Sequence, residues 1–148
     1  MYLNNEVFQT IVQNTPLVSI DLIIKNAQEQ VLLGRRNNRP AQGYWFVPGG
    51  RIHKNEGLAQ AFRRLTDAEL GQAFLLEDAY FLGVFEHLYA DSIFGSETST
   101  HYIVLGYQLM VDFDLDTLPL EQHHQYQWFA IKDLLNDTNV HENTKAYF

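Results

Sequence analysis

The amino-acid sequence predicts one domain of the α+β class, because short strands and helices follow one another without strict alternation. The chain has 148 residues, and independent domains commonly contain about 100–200 residues. Apolar residues make up 46% of the sequence and aromatic residues 14%, a composition that supports a packed core and excludes a disordered chain. We therefore treat residues 1–148 as a single domain, either an α+β domain or a sheet sandwiched between helices.

The first half of the chain begins with a helix and continues with strands. Phe8, Ile11 and Val12 recur at helical spacing, and Pro16 ends the helix because the residue before a proline is pushed out of the helical region. The run LVSIDLII is typical of a strand and places Asp21 on its mixed face. The expected elements are a helix over residues 5–13, a hairpin of strands over 17–24 and 30–33, and an aromatic strand, YWFVPGG, over 44–50.

The next predicted element is a helix over residues 56–70. Asn55 is its expected N-cap and Gly71 its C-terminal stop. Glu69 continues the apolar row of this helix, so a carboxylate is expected where the helix meets the body of the domain. The residues of that row, which we expect to face the core, are Leu58, Phe62 and Leu65.

The second half of the chain predicts long strands followed by short helices. A polar loop, ADSIFGSETST, separates the first two strands and is long enough to be functional. The expected elements are strands over residues 79–89, 101–110 and 126–130, and helices over 131–136 and 140–147.

The composition excludes several classes of function. The chain contains no cysteine, which rules out disulfides, thiolate metal ligands and thiol nucleophiles. Its formal net charge of −8 argues against nucleic acid or an anionic membrane surface as the main partner. No apolar run approaches the ~20 residues that span a bilayer, and the N-terminus MYLNNEVFQT lacks a signal-peptide pattern. We therefore expect a cytoplasmic protein.

The basic residues are concentrated in one segment. All six arginines and Lys54 lie between residues 35 and 64, where Glu56 is the single acid, so this segment carries +6 and the remainder −14. A solvated cationic face would explain such a cluster. Before any motif is considered, this is the favoured explanation. A phosphate site is the alternative, because the arginine guanidinium matches phosphate oxygens with a planar fork of donors.

The spacing of residues after the glycine pair carries a motif. Gly50, Glu56, Arg64, Glu69 and Gly71 stand at the offsets of G-x5-E-x7-R-E-U-x-E-E-x-G-U, where U is a bulky apolar residue. This pattern is the Nudix box, and the flanking strand, loop and helix fit it too. The chain thus resembles the Nudix hydrolase superfamily. The resemblance implies the Nudix fold, a mixed β-sheet sandwiched between helices (an α/β/α sandwich), and metal-dependent cleavage of nucleoside diphosphates linked to another moiety.

This sequence departs from the box at four positions. Leu65 and Ala68 stand where two glutamates are usual, and Thr66 and Gln72 replace apolar residues. A helix with one inward carboxylate cannot hold several divalent ions, because Mg²⁺ requires about six oxygen ligands. We expect one Mg²⁺ ion, replaceable by Mn²⁺.

Longer strings narrow the resemblance to one branch, the GDP-mannose mannosyl hydrolases. They are NTPLVS at residues 14–19, NRPAQGYWFVPGGR at 38–51, EQH at 121–123 with Tyr126 and Trp128, and KAYF at 145–148. The resemblance implies water attack at the anomeric carbon of GDP-mannose with inversion, which releases GDP and free sugar. Most Nudix enzymes attack phosphorus instead.

The resemblance also implies a metal site and a general base. The Mg²⁺ ligands would be the Gly49 carbonyl, Glu69 and Gln122, with the substrate diphosphate completing the shell. The base would be His123, since an imidazole is well matched to deprotonating water near pH 7. The adjacent His124 could share, replace or only neighbour that role.

Three arginines, Arg36, Arg51 and Arg64, are the candidates for neutralising the departing diphosphate. For Arg64 an equal alternative is that it orients the carboxylates of the box. Glu56 is expected to hold the turn between loop and helix.

The remaining candidates concern the sugar and the base of the nucleotide. Asp21 is either an edge-strand charge or, as the resemblance favours, a partner for sugar hydroxyls. Tyr102 and His87 either line the pocket or pack as ordinary strand residues. The family positions that hold guanine correspond to Tyr2, Leu3 and Phe8. The family is dimeric, with N-terminal residues reaching the partner's nucleotide, so a homodimer is implied.

Two other functions remain open from the sequence. A conventional Nudix pyrophosphohydrolase would yield GMP and sugar 1-phosphate, although the missing carboxylates disfavour it. A non-catalytic nucleotide-sugar-binding module would be expected to lack Glu69, Gln122 and His123. The choice between mannose and glucose depends on the loop around residues 89–100, whose geometry the sequence does not reveal.

Overall fold

We analysed a computed structural model that describes residues 3–112, 114–119 and 123–148, with the side chains of residues 123 and 124 left out. The helices are α1 (Asn5–Asn14), α2 (Leu58–Leu70), α3 (Ile131–Asn136) and α4 (Glu142–Lys145). The strands are β1 (Leu17–Lys25), β2 (Val31–Arg36), β3 (Trp45–Phe46), β4 (Gly49–Arg51), β5 (Tyr80–Tyr89), β6 (Thr100–Met110) and β7 (His123–Phe129). Short 3₁₀ helices lie at Leu76–Asp78 and Leu115–Thr117.

The strands form one mixed sheet. Its order is β3-β2-β1-β6-β5, with β4 paired to β1 and β7 paired to β2. Strands β1 and β6 run parallel along their length, and the other pairs are antiparallel. Strand β1 pairs with β4 near its beginning and with β2 at Lys25. This mixed sheet with flanking helices confirms the predicted α+β class.

Both faces of the sheet are covered by apolar clusters. One cluster joins Ile20 and Leu22 of β1 to Phe62 of α2, and the other joins Ile23 of β1 to Leu134 of α3. All five side chains are fully buried, and burial of such a side chain stabilises the fold by about 1.5–3 kcal/mol. The sheet is therefore enclosed between helices on both sides. In the part of the chain that the structure describes, no helix has the length and apolar character needed to cross a bilayer.

Helix α2 begins later than the sequence analysis predicted. Its N-cap is Gly57 rather than Asn55, which instead adopts a left-handed conformation with φ 65°. The loop before α2 is closed by other groups, because Glu56 accepts from the His53 N–H and Gln60 accepts from the Gly57 N–H, both at 3.0 Å. The later start places Leu58 in the first turn, where it is 42% exposed and does not join the core.

The other predicted boundaries need small corrections. The aromatic segment divides into β3 and β4 on either side of Val47 and Pro48, and the last helix is a single turn, α4. Strand β7 begins three residues before the predicted start at 126. Gly71 ends α2 in the left-handed conformation, φ 75°, as expected.

Candidate active site

A cleft of about 330 Å³ opens along the segment from β4 to α2. Its walls include the glycine pair, Glu69 of α2, Phe8 of α1 and the loop between β5 and β6. A smaller pocket of about 70 Å³ shares five lining residues with this cleft and continues it into the domain; they are Arg36, Pro40, Gly49, Gly50 and Tyr102. We call this smaller space the inner pocket. The larger cleft has the size of a site for a small ligand.

The glycine pair brings the strand, the helix and the cleft together. A Cβ atom on Gly49 would lie 2.3 Å from the Ile20 carbonyl oxygen and 2.6 Å from Asp21 Oδ1, and one on Gly50 would lie 2.5 Å from Leu65 Cδ2. Position 49 therefore requires glycine, because a side chain there would meet backbone, whereas a side chain at position 50 would have to displace the end of Leu65.

The pairing of β4 with β1 also orients the Gly49 carbonyl. Leu22 donates its N–H to the Pro48 carbonyl and Ile52 donates to Val18, both at 2.8 Å. Hydrogen-bonded pairs alternate along antiparallel strands, so the Asp21–Gly49 pair between them is not hydrogen-bonded. The Gly49 carbonyl consequently points away from β1 and is available to the cleft that Gly49 lines.

Glu69 faces the same cleft from α2. It is buried, with 6% of its surface exposed, as its place on the helix predicted. Ala68, which replaces a box glutamate, lines this wall as well, so a methyl group stands where a carboxylate is usual. Among the described residues, no group of three or more His, Cys, Asp or Glu side chains could hold a metal ion. A carbonyl and one carboxylate are thus the donors that this wall offers, and Gln122 lies outside the described residues.

The three candidate arginines have different surroundings. Arg64 donates to both carboxylate oxygens of Glu56, at 2.6 and 2.9 Å, and to the Arg51 carbonyl at 2.8 Å. The Arg51 guanidinium lies 4.9 Å from the centre of the Phe8 ring. Arg36 donates to the Pro40 carbonyl at 2.8 Å and lines both the cleft and the inner pocket.

The pair of Arg64 and Glu56 is a bidentate ion pair that closes the loop between β4 and α2. The hydrogen bonds from Arg64 hold the pKa of Glu56 at about 2. Glu56 holds the turn, as expected. Arg64 is bound to Glu56 and to the backbone, and it also lines the cleft. Arg63 and Lys54 are exposed, and neither lines the cleft.

Asp21 lies at the end of the inner pocket. It is 7% exposed, and burial raises its pKa to about 7, although the Tyr147 hydroxyl and Arg36 act in the opposite direction. The Tyr147 hydroxyl donates to Asp21 Oδ2 at 2.6 Å. A buried carboxylate at the end of a pocket is suited to accept hydrogen bonds from a ligand.

His87 and Tyr102 line the same inner pocket from neighbouring strands. His87 is 3% exposed, and burial, together with His141, lowers its pKa to about 4, so the imidazole is neutral at pH 7. Burial likewise raises the pKa of Tyr102, which keeps its hydroxyl protonated. Both side chains can therefore offer neutral polar groups to a ligand.

The N-terminal candidates divide into three cases. Phe8 lines the cleft and contacts Phe94 edge to face, with ring centres 5.6 Å apart. Leu3 is half-buried and is not among the residues of the cleft, and Tyr2 lies outside the described residues. For His123, the structure describes the backbone alone, which pairs with Arg36 at the beginning of β7; its side chain and that of His124 lie outside the described part.

Several residues of the site were missed in the sequence analysis. Ser92 and Ile93 line the cleft from the loop ADSIFGSETST, and Phe94 of the same loop contacts Phe8; nothing in the sequence distinguishes these three residues. Arg39 lines the cleft and contacts Asp91 at 3.6 Å. Tyr147 belonged to the quoted string KAYF, yet its contact with Asp21 spans 126 positions of sequence.

The sequence matches the Nudix domain family over residues 15–148. The chain therefore belongs to the Nudix hydrolase family, whose members generally use divalent metal ions such as Mg²⁺.

The chain is also similar to a glycan biosynthesis protein and to solved Nudix structures. The chain is 43% identical over 125 residues to the low-salt glycan biosynthesis protein Agl8 of Haloferax volcanii, covering 82% of this chain and 76% of Agl8. A MutT Nudix hydrolase from Burkholderia pseudomallei is similar in structure, with a TM-score of 0.71, 26% identity, and coverage of 90% of this chain and 96% of that one. The Nudix domain of Shewanella oneidensis NrtR, solved with ADP-ribose, has a TM-score of 0.66 at 17% identity and covers 98% of this chain and 89% of that one. At that identity the likeness shows the fold.

Proposed function

We propose that this protein is a Mg²⁺-dependent hydrolase of GDP-mannose, or of GDP-glucose, that releases GDP and the free sugar. The observation that carries the proposal is the wall formed by α2, where Glu69 is a buried carboxylate and Ala68 stands beside it in place of a second one. Such a wall supports one ion on the diphosphate rather than a metal cluster that activates water against phosphorus. The reacting carbon then lies in the polar inner pocket, beyond the diphosphate.

The metal donors on the wall fit one hard cation. The Gly49 carbonyl and the Glu69 carboxylate would hold Mg²⁺, with Gln122 as the third protein ligand, and oxygen donors of this kind suit the ion. The ion would neutralise negative charge on the departing diphosphate.

Arg36 and Arg51 supply further positive charge to the leaving group. Arg36 lies where the cleft meets the inner pocket, and the Pro40 carbonyl holds its Nε. Preorganised cations at a site of developing charge give large rate effects because they need no reorganisation during the reaction. Arg64 contributes chiefly by fixing the loop, since its guanidinium is engaged by Glu56.

The proposed chemical step is a displacement at carbon. A water oxygen bonds to the anomeric carbon, and His123 takes the proton of that water. The bond from this carbon to the diphosphate oxygen breaks, its electron pair goes to that oxygen, and GDP leaves. Asp21 accepts hydrogen bonds from sugar hydroxyls in the inner pocket, which His87 and Tyr102 also line.

The comparisons support a nucleotide-sugar ligand. Agl8, at 43% identity, is described as a glycan biosynthesis protein, and glycan biosynthesis uses nucleotide sugars. We further propose that the protein acts in the cytoplasm as a homodimer. The homodimer is what the resemblance of the sequence to the GDP-mannose mannosyl hydrolases implies; in the described chain, Phe8 of α1 lines the cleft of its own subunit.

The position of oxygen-18 in the products tests the proposal. GDP-mannose and Mg²⁺ are incubated with the protein in ¹⁸O-labelled water, and the products are analysed by mass spectrometry. Label in free mannose supports attack at carbon. Label in GMP or mannose 1-phosphate would instead establish a conventional pyrophosphohydrolase. Binding of GDP-mannose without turnover would leave a nucleotide-sugar-binding module.

A further inference from the structure

Asp21 occupies a notch in the sheet that two glycines create. Its partner on β4 is Gly49, and its partner on β6 is Gly106. Space beside each glycine is already filled, since a Cβ on Gly49 would lie 2.6 Å from Asp21 Oδ1 and one on Gly106 would lie 3.3 Å from Tyr147 Cε1. A glycine inside a strand often marks such a close approach. The two glycines thus make room for one carboxylate and one aromatic ring.

The Tyr147 ring is held by apolar contacts around this notch. Its centre lies 4.6 Å from that of Phe85 on β5, in an edge-to-face arrangement. The ring also faces Gly106, where the missing side chain leaves the space that it fills. These contacts aim the Tyr147 hydroxyl at Asp21 Oδ2, at 2.6 Å.

The segment that carries Tyr147 is fastened to the sheet. The fully buried Thr144 accepts from the Val47 N–H at 3.4 Å, and the His141 N–H donates to the Trp45 carbonyl at 3.2 Å. The position of the hydroxyl is therefore set by core packing rather than by a free chain end. Such support is what a precisely oriented polar side chain requires.

We propose that Tyr147 is a positioning residue for Asp21. Its hydroxyl occupies Oδ2 and fixes the rotation of the carboxylate, which leaves Oδ1 on the Gly49 side, toward the inner pocket. There Oδ1 accepts a hydrogen bond from a hydroxyl of the sugar. The inference rests on the proposed function, because it assigns the sugar to the pocket that Asp21 lines.

The test separates the sugar from the nucleotide. In Tyr147→Phe, kcat/KM for GDP-mannose should fall roughly ten-fold or more, the cost of leaving a buried acceptor without its hydrogen-bond donor, while the Kd of GDP stays unchanged. Partial unfolding would impair both measurements alike. The matched control is Tyr107→Phe, a buried tyrosine that packs on Phe62 and Phe81 at the other face of the sheet, and both its measurements should match those of the wild type.

A double variant tests whether Tyr147 acts through Asp21. The double variant Asp21→Asn/Tyr147→Phe should have a kcat/KM less than about two-fold below that of Asp21→Asn alone, because the effects of substituting two residues that act as a unit do not add. Independent, multiplying losses would overturn the proposal. So would a Tyr147→Phe variant with wild-type kcat/KM, or one in which the Kd of GDP rises in step.

A second variant and a binding measurement test the role of Tyr147 if the first variant does not fold or if the wild type shows no turnover. If Tyr147→Phe does not fold, Gly106→Ala is the second variant, because its methyl would lie 3.2 Å from Phe85 Cε2 and 3.3 Å from Tyr147 Cε1 and would press on both packed rings while retaining the hydroxyl. Unchanged kcat/KM in that variant would count against positioning. Wild-type protein that releases no free mannose would contradict the proposed function instead. Calorimetry then decides the inference, because Tyr147→Phe should weaken binding of GDP-mannose but not of GDP, and equal effects on the two ligands would refute it.

Discussion

The ion pair between Glu56 and Arg64 makes a quantitative prediction about stability. Glu56 accepts two hydrogen bonds from the Arg64 guanidinium and one from the His53 N–H. Glu56→Gln keeps the shape of the side chain but removes its charge. We expect this variant to be less stable than the wild type at pH 7, because the charge-assisted bidentate pair is lost.

The size of the effect follows from the pKa and the exposure of the pair. The pKa of Glu56 is about 2, against an ordinary value of 4.5, and one pKa unit is worth about 1.4 kcal/mol, which sets an upper limit of about 3 kcal/mol. The Glu56 side chain is 14% exposed and that of Arg64 is 35% exposed. Solvent screening therefore reduces the expected loss in the free energy of unfolding to about 1–2 kcal/mol. That loss corresponds to a fall in Tm of roughly 3–6 °C for a domain of this size.

The dependence on pH has a definite sign. A carboxylate whose folded pKa lies below its unfolded pKa stabilises the fold fully above the unfolded value, and its contribution disappears as the pH falls. The contribution of Glu56 should thus be complete at pH 7 and diminish between pH 4.5 and about 2. Wild type and Glu56→Gln should converge in stability over that range.

Urea unfolding at a series of pH values measures this difference directly. Glu77→Gln is a suitable control, since it removes an exposed carboxylate from the short helix Leu76–Asp78. The expected result is a gap of about 1–2 kcal/mol at pH 7 that narrows below pH 4.5. Equal stability at pH 7, or a gap that stays constant as the pH falls, would refute the reasoning.

Three further predictions concern the cleft. Gly49→Ala should cost about 1–3 kcal/mol of stability through overpacking, since its Cβ would meet the Ile20 carbonyl at 2.3 Å. Gly57→Ala should cost less, because its Cβ would lie 3.7 Å from the nearest atom, Gln60 Oε1, and thermal melts of both variants check this. His123→Gln should lower kcat by up to several orders of magnitude with nearly unchanged Mg²⁺ affinity, and a large loss of Mg²⁺ binding in calorimetry would show that His123 is a ligand. Phe8→Ala should weaken GDP binding by roughly five- to ten-fold, the value of one stacking or cation–π contact, while Val7→Ala on the exposed side of α1 should not.

The predicted positions of side chains agreed best with the structure where they depended on the helical repeat. Glu69 was expected on the inward row of α2, and it is buried on the wall of the cleft. A helical repeat determines which residues share a face, so such a position can be read from spacing. The same reasoning failed at Leu58, because the helix starts after Gly57 and its first turn faces solvent.

The start of α2 shows why the N-cap residue of a helix is harder to predict than the side chains on its buried face. Asn55 is a favourable N-cap by residue type. In the structure, Arg64 reaches back eight residues to hold Glu56, and Asn55, just before Glu56, has a left-handed conformation instead of capping the helix. That contact depends on the path of the loop, which residue preferences do not specify.

The sequence by itself determined the α+β class, the glycine pair, the position of Glu69 and the concentration of arginines around one loop. These features follow from periodicity, composition and spacing, which are local properties of the chain. The tertiary structure alone decided what surrounds Asp21, because Gly49, Gly106 and Tyr147 meet there from three distant segments. It also decided that Arg64 pairs with Glu56, whereas Arg36 lines both the cleft and the inner pocket. Contacts of this kind arise from the register of the sheet and the packing of both its faces, and no local pattern encodes them.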